Sequence, residues 1–561
     1  MAGLAATAVL ALPAAAGAQG RWMPPKPLTG ESAVIPQVTL GPSGEGLAAW
    51  MARGADQGRG GGNVSVAVRP PGGVFGEARA LVPGPAHFSG LVANGSGDTT
   101  LLYRDPAPGL SLHAAFRPAL GEFAPPLDVG TGGGPAGIDA AGNITFVQLV
   151  DEKEPPDNLK HVAHRITAIT RAPGGTLGPV REIMRNELIH GEAIGVDPAG
   201  NTTVAWRARV PGDDEATQPY AAVSPPGGAF SEPIALGPPT PDNQGSGPMR
   251  VVTSAAGTLV AWPAQPPNPS PGVPYKTVNH RLHSSFRPPG GQFGPVEQIP
   301  LDDPQAETLL RWDVAMSRTG DVVAAWGATA ISLSYRPLGG QWEESRPATH
   351  YPRIGGDSFD GQSSPVVAFD GKGTAIVAYV SRMGTKDAKG RWRDGPARLM
   401  AMRRPRGGRF GTPEAVVTAK NIFTPSLAGD PLGNAILVWS HEEIGSWDAE
   451  RTEEGIGSAI WDAREPSVTG FGVDPGTAAF EFRLSEAASV TVQVDRLAAR
   501  RTERLAKVKF RAGRGTGERA IEKPLAKRLR RSGSYRATVV ARDSAGRRSK
   551  ARRVGFGPLD R

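Results

Sequence analysis

From about residue 20 to residue 463 the apolar positions come in short runs broken by Gly- and Pro-containing turns, not at the three-to-four spacing of an amphipathic helix. One arrangement recurs: an apolar run, a turn with glycine, and a second apolar run ending on an aromatic. Its clearest copy is Ile194-Gly195-Val196-Asp197-Pro198-Ala199-Gly200-Asn201-Thr202-Thr203-Val204-Ala205-Trp206. The glycine returns at Gly44, Gly97, Gly142, Gly200, Gly257, Gly320, Gly373 and Gly433. The aromatic returns at Trp50, Tyr103, Trp206, Trp262, Trp326, Tyr379 and Trp439, with Gln148 in the third copy. Large apolar side chains at equivalent places are expected in the core. All but the last copy continue with a strand, a Pro-Gly-Gly type turn and another aromatic, as in Val66 to Arg69, Pro70-Pro71-Gly72-Gly73 and Phe75, with Leu177 in the aromatic's place in the third. Pro fixes φ and Gly supplies positive φ, so this second turn is also a tight reversal.

Two hairpins make four strands per copy, and the seven intervals from Gly44 to Gly433 average about 56 residues. A four-stranded sheet repeated near this period is the signature of a β-propeller blade. The expected fold is therefore all-β: a β-propeller of eight four-stranded blades, with seven as the alternative. The last copy lacks its Pro-Gly-Gly-aromatic half, and Gly20-Arg21-Trp22 aligns with Gly340-Gln341-Trp342 and Gly408-Arg409-Phe410. The propeller is accordingly placed at 19–463, with the N-terminal strand closing the last blade. The repeats resemble those of bacterial secreted β-propeller proteins, and the turn Val196-Asp197-Pro198-Ala199-Gly200-Asn201 resembles the NHL repeat. The resemblance implies blades and no particular activity.

Beyond Asp462 the repeat stops, and alternating strands are expected at 478–484, 489–494, 507–510 and 535–542. Gly533-Ser534-Tyr535-Arg536 and Ala541-Arg542-Asp543-Ser544-Ala545-Gly546 resemble the closing hairpin of an immunoglobulin- or fibronectin-III-like domain, which assigns 464–561 to a β-sandwich. Charge changes at the same place. From Ser467 onward there are 23 Lys and Arg against 9 Asp and Glu, net +14; the preceding residues hold 39 against 45, net −6, together the +8 of the whole chain. Arg500, Arg501, Arg528, Arg530 and Arg531 are the candidate polyanion-binding residues, the alternative being a solvated surface or docking within the chain.

Composition narrows the chemistry. With 74 Gly and 54 Pro among 561 residues, long helices are excluded, while 39% hydrophobic residues exclude a wholly disordered chain. The absence of cysteine excludes disulfides, a thiolate nucleophile and Cys-ligated metal. Leu4 to Ala16 with Ala16-Gly17-Ala18 reads as a signal peptide over 1–18, too short to span a bilayer. The expected product is secreted or extracellular, free or associated with the cell envelope, without a transmembrane segment and monomeric.

Residues recurring at equivalent positions of the copies serve the scaffold, including Arg69, Arg117, Arg287, Arg336 and Arg404 beside the same turn. A ligand site must come from where copies differ, namely the long connections from second to third strand and from copy to copy, which share one face because strands alternate in direction. Trp392 and Trp447, with Asp213, Asp214, Glu442 and Glu443, are the candidate ligand-binding residues there. Exposed Trp could stack on a sugar and carboxylates could bind its hydroxyls. His161/His164 and His280/His283 are spaced to opposite faces of a strand, so a surface role without metal is expected. No cofactor, catalytic residue or nucleic-acid partner is assigned. The leading function is a non-enzymatic binding or surface-interaction protein for a glycan, an envelope polyanion or a protein; the alternative is a glycan-active hydrolase or lyase using carboxylates.

Overall fold

The computed structural model describes residues 21–52, 61–106, 111–152, 163–241, 248–264, 281–300, 311–327, 331–347, 365–386, 392–442, 454–462, 467–485, 488–498, 501–513, 515–542 and 548–560. The signal-peptide reading, Glu443, Trp447 and Arg500 lie outside these residues. The described chain is nearly all strand, in many small antiparallel sheets, with one helix among the described residues. It forms two compact units, Pro24–Ile460 and a second that holds Arg21–Met23 and the chain from Trp461 onward.

The strands of the repeat region are four-stranded meanders. Six stand as separate sheets, and the first two copies share the strand Arg79–Ala93, giving one seven-stranded sheet. No loop separates those two copies, although the sequence suggested one: a single strand passes from one meander into the next. At the other end of the repeat, Lys26–Thr29 pairs with Glu454–Asp462 through Lys26↔Ser458, Pro27↔Gly457 and Thr29↔Ile456. In the second unit Trp22 pairs with Trp461 and lies edge-on to it at 5.8 Å.

Consecutive meanders meet through their first strands, and the strand Ala33–Leu40 of the first also meets Asn421–Gly429 of the last. Apart from Arg79–Ala93, these first strands lie at sheet edges, and unpaired backbone N–H groups need partners. Side chains from the neighbouring meander supply them: Gln37 Oε1 accepts Leu91 N–H at 2.7 Å, Asp313 Oδ2 accepts Val367 N–H at 2.9 Å, and Ser426 Oγ accepts Val38 N–H at 3.2 Å. The approach is close enough that a Cβ on Gly195 would stand 2.6 Å from Val251 Cγ1.

Between sheets lies the core. Leu259, Ala261, Leu282 and Ile299 of one sheet pack on Trp312, Val314, Trp326 and Trp342 of the next. The seven recurrent aromatics are all buried, and in the third copy Gln148 takes the position, its Nε2 donating to Val129 O at 3.2 Å. Burying an aromatic of this size stabilises by about 2–3 kcal/mol.

The C-terminal unit has a three-stranded sheet, Val468–Asp474, Ala479–Leu484 and Gly515–Ala520, and a four-stranded one ordered Arg501–Ala512, Ala488–Ala498, Ser534–Arg542, Arg552–Phe556. Both contribute to one apolar cluster, with Phe480 and Phe482 from the first and Val490, Val492, Val539 and Tyr535 from the second. The seven-residue helix Lys523–Leu529 was not expected from the sequence. Pro524 and a basic run obscure it, yet Leu525, Ala526 and Leu529 face the same core. The Tyr535 hydroxyl donates to Arg531 O at 2.8 Å, tying the strand to the residues just after the helix.

Candidate functional site

Each meander begins at the end where the long connections emerge and runs to the glycine turn, so its two ends carry different chemistry. At the glycine-turn end the recurrent glycines have φ between +78° and +137°, a region costly for residues with a Cβ. Asp197 holds its turn by accepting N–H from Ala199 at 2.9 Å and Asn201 at 2.8 Å, and Asp370 and Asp430 repeat the device. In the Pro-Gly-Gly turns one copy departs: Leu120 occupies the glycine position at φ +58° with its side chain exposed.

The recurrent arginines stand at this same end as clamps. Arg117 pairs with Glu45 at 2.6 and 3.2 Å, and Glu45 also accepts Leu120 N–H at 3.1 Å. Arg336 pairs with Glu297 at 2.9 Å, and Arg404 with Glu343 at 2.6 and 2.7 Å. Arg69 caps two backbone carbonyls, Gly73 O at 2.9 Å and Gly44 O at 2.8 Å. All four are buried, in agreement with a scaffold role.

The connection end holds side chains whose protonation the fold disturbs. In Ile189–Val196 the register slips between His190 and Ala193, with Gly191 at φ +71°, and the bulge takes Glu192 out of the ladder. Burial pushes the Glu192 carboxyl above the usual range, against the pull of the Arg104 guanidinium. Arg104 closes the strand Thr99–Arg104, and its Nε has no hydrogen-bond partner among the described residues. His283, near the start of Arg281–Arg287, lies edge-on to Trp262 at 6.1 Å. Burial first, then the charges of Arg281 and Arg207, bring it down to about 4, so it is neutral at pH 7. This corrects the surface role expected for His283. Asp151 and His164 face each other across a hairpin at 2.9 Å. A partly buried carboxyl, a guanidinium and a neutral imidazole offer donors and acceptors suited to hydroxyl groups.

The candidate ligand residues fall differently from the sequence reading. Asp213 and Asp214 begin the strand Asp213–Ser224, directly after a tight reversal at Pro211-Gly212, with Val210 paired to Asp213. Trp392 opens Trp392–Arg404 and pairs with Lys386, so what read as a loop is a projecting hairpin. Glu442 ends Ala435–Glu442, opposite Asn421. All remain at the connection end, but on strands. Glu192, Arg104 and His283 were missed as site residues; the spacing His280/His283 was visible, whereas a bulge leaves no mark on apolar periodicity.

Among the basic candidates, Arg528 lies on the helix and donates to Leu505 O at 3.0 Å, Arg530 and Arg531 follow it and are exposed, and Arg501 pairs with Ala498 at a strand end. They do not line one sheet face.

No family model and no curated protein matches the chain. Among solved structures it is similar to a polysaccharide lyase, an ulvan lyase, at 12% identity over 66% of this chain and 93% of that one (TM-score 0.39). A Fusarium graminearum α-L-arabinofuranosidase in complex with an iminosugar inhibitor matches at 10% identity, over 79% and 96% (TM-score 0.33). A lectin from Burkholderia pseudomallei matches at 14% identity, over 69% and 99% (TM-score 0.38). Likeness at this level leaves function to the chain's own residues.

Proposed function

We propose that the repeat region is an eight-bladed β-propeller and the C-terminal unit an immunoglobulin-like β-sandwich, in an exported protein that binds a glycan on the connection face of the propeller. The observation that supports binding there is the division of chemistry between the two ends. Periodic charges are engaged in clamps at the glycine-turn end, while Glu192 with Arg104 nearby, His283 and the Asp151–His164 pair each stand at the other end. Loops and hairpin ends on a rigid scaffold are where recognition usually resides.

A second reading, a glycan-active hydrolase or lyase, is favoured by one feature. A carboxyl raised by burial beside a guanidinium is suited to protonating a glycosidic oxygen. One experiment separates the two: the full-length protein and Glu192→Gln are applied to a glycan array with detection of released products. Binding without product in both proteins supports recognition alone. Product from the native protein that disappears in the variant supports the enzyme. No bound glycan and no product would remove both readings.

A further inference from the structure

The outer face of the four-stranded sheet in the C-terminal unit has a charge pattern that the sequence runs did not single out. Along Arg501–Ala512, residues Ala506, Val508 and Phe510 pack toward the core. Alternation therefore turns Lys507, Lys509 and Arg511 outward, and all three are exposed. On the far side of the sheet the same face carries Arg542 and Arg553, both exposed. Between these two rails runs a polar strip. Gln493 is paired with Lys507 and Thr538, Thr491 with Lys509, and Ser489 with Arg511 and Arg542. The one carboxylate in these rows, Asp495, is buried and faces Arg536 at 3.4 Å.

Ideal sheet dimensions place successive outward cations of Arg501–Ala512 about 7 Å apart, with Arg542 about 10 Å away across two strand spacings and Arg553 about 14 Å away across three. We infer that this face binds a linear acidic polysaccharide, its carboxylates or sulfates meeting the rails and its hydroxyls the strip. Ser, Thr and Gln side chains both donate and accept hydrogen bonds, as a sugar chain requires. A phospholipid surface calls for apolar side chains that insert, and single-stranded nucleic acid for aromatic platforms. Among the described residues of these rows, Val540 is the one large apolar side chain and none is aromatic. The inference concerns a different unit from the glycan reading above and does not depend on it.

The test uses the full-length protein on immobilised heparin and polygalacturonate across a salt series, with phosphatidylglycerol vesicles as a third arm. Retention on both polymers should weaken as salt rises. The variant K507Q/K509Q/R511Q should lower the slope of log affinity against log salt by about two to three, close to one for each cation removed. Removing equal charge from the helix edge with K523Q/K527Q/R530Q should change the slope far less. T491E, which sets a carboxylate in the strip, should weaken retention without removing a cation. A thermal midpoint equal to the native one shows that each variant is folded. Three results would overturn the inference: no retention at low salt, equal loss in the sheet-face and helix-edge variants, or tighter binding to vesicles than to either polymer.

Discussion

The two ends of the repeated sheets are built from the same strands and differ in what their polar groups do. At the glycine-turn end Arg117, Arg336 and Arg404 are buried against carboxylates, so charge acts as cement between sheets. At the connection end His283 and Glu192 are enclosed with cations nearby, and enclosure disfavours their charged forms. The contrast shows that a periodic charge is more informative about architecture than about ligands, and that an aperiodic one in a bulge or at a strand end is the place to look for chemistry.

The sharpest challenge to this contrast is Arg117→Met. It leaves Glu45 buried without its partner, and breaking a buried pair typically costs about 3–5 kcal/mol. Asp151→Asn, which removes an exposed pair at the opposite end, should cost under about 1 kcal/mol. Urea unfolding of both variants checks the difference; equal losses would erase the distinction between the ends.

A second test uses pH. His283 has a folded pKa of about 4, below an unfolded value near 6.5, so between these pH values the unfolded chain binds more protons. Stability is then fully present above about 6.5 and is lost as pH falls toward 4, by up to about 3 kcal/mol. His283→Gln should flatten that part of the curve. If the native protein and the variant melt in parallel from pH 7 to pH 4.5, the histidine is not enclosed as described.

The smallest effect should be a gain. Leu120 takes a left-handed conformation with its side chain exposed, where other copies have glycine. Leu120→Gly relieves that strain at the cost of greater freedom in the unfolded chain, for a net rise of up to about 1 kcal/mol. A lowered midpoint would show that the leucine contributes packing this reading omits.

Legibility in the sequence followed the same division. The turn glycines and the buried aromatics were visible because each recurs with its neighbours in nearly every copy, and Gln148 stood out as the exception. The clamp partners were not. Glu45 follows a glycine turn, whereas Glu297 lies on a fourth strand and Glu343 just before one, so their roles coincide in space without coinciding in the repeat. Asp213 and Trp392 read as loop residues because apolar alternation fades in the sequence toward the tips of these hairpins. The C-terminal helix was hidden by its shortness, since seven residues hold too few turns to show a helical stripe.

The pairing of Lys26–Thr29 with Glu454–Asp462 also bears on how the molecule is made. Ser458 Oγ donates to Lys26 O at 3.2 Å across 432 positions of chain. On a ribosome the amino-terminal partner emerges long before the strand it joins, and local meanders can form in the interval while this contact cannot. The early segment must therefore wait as an unpaired edge until synthesis has passed residue 458. Assembly of the last sheet is thus a late event, open to capture by a chaperone or to exchange with the same segment of another nascent chain.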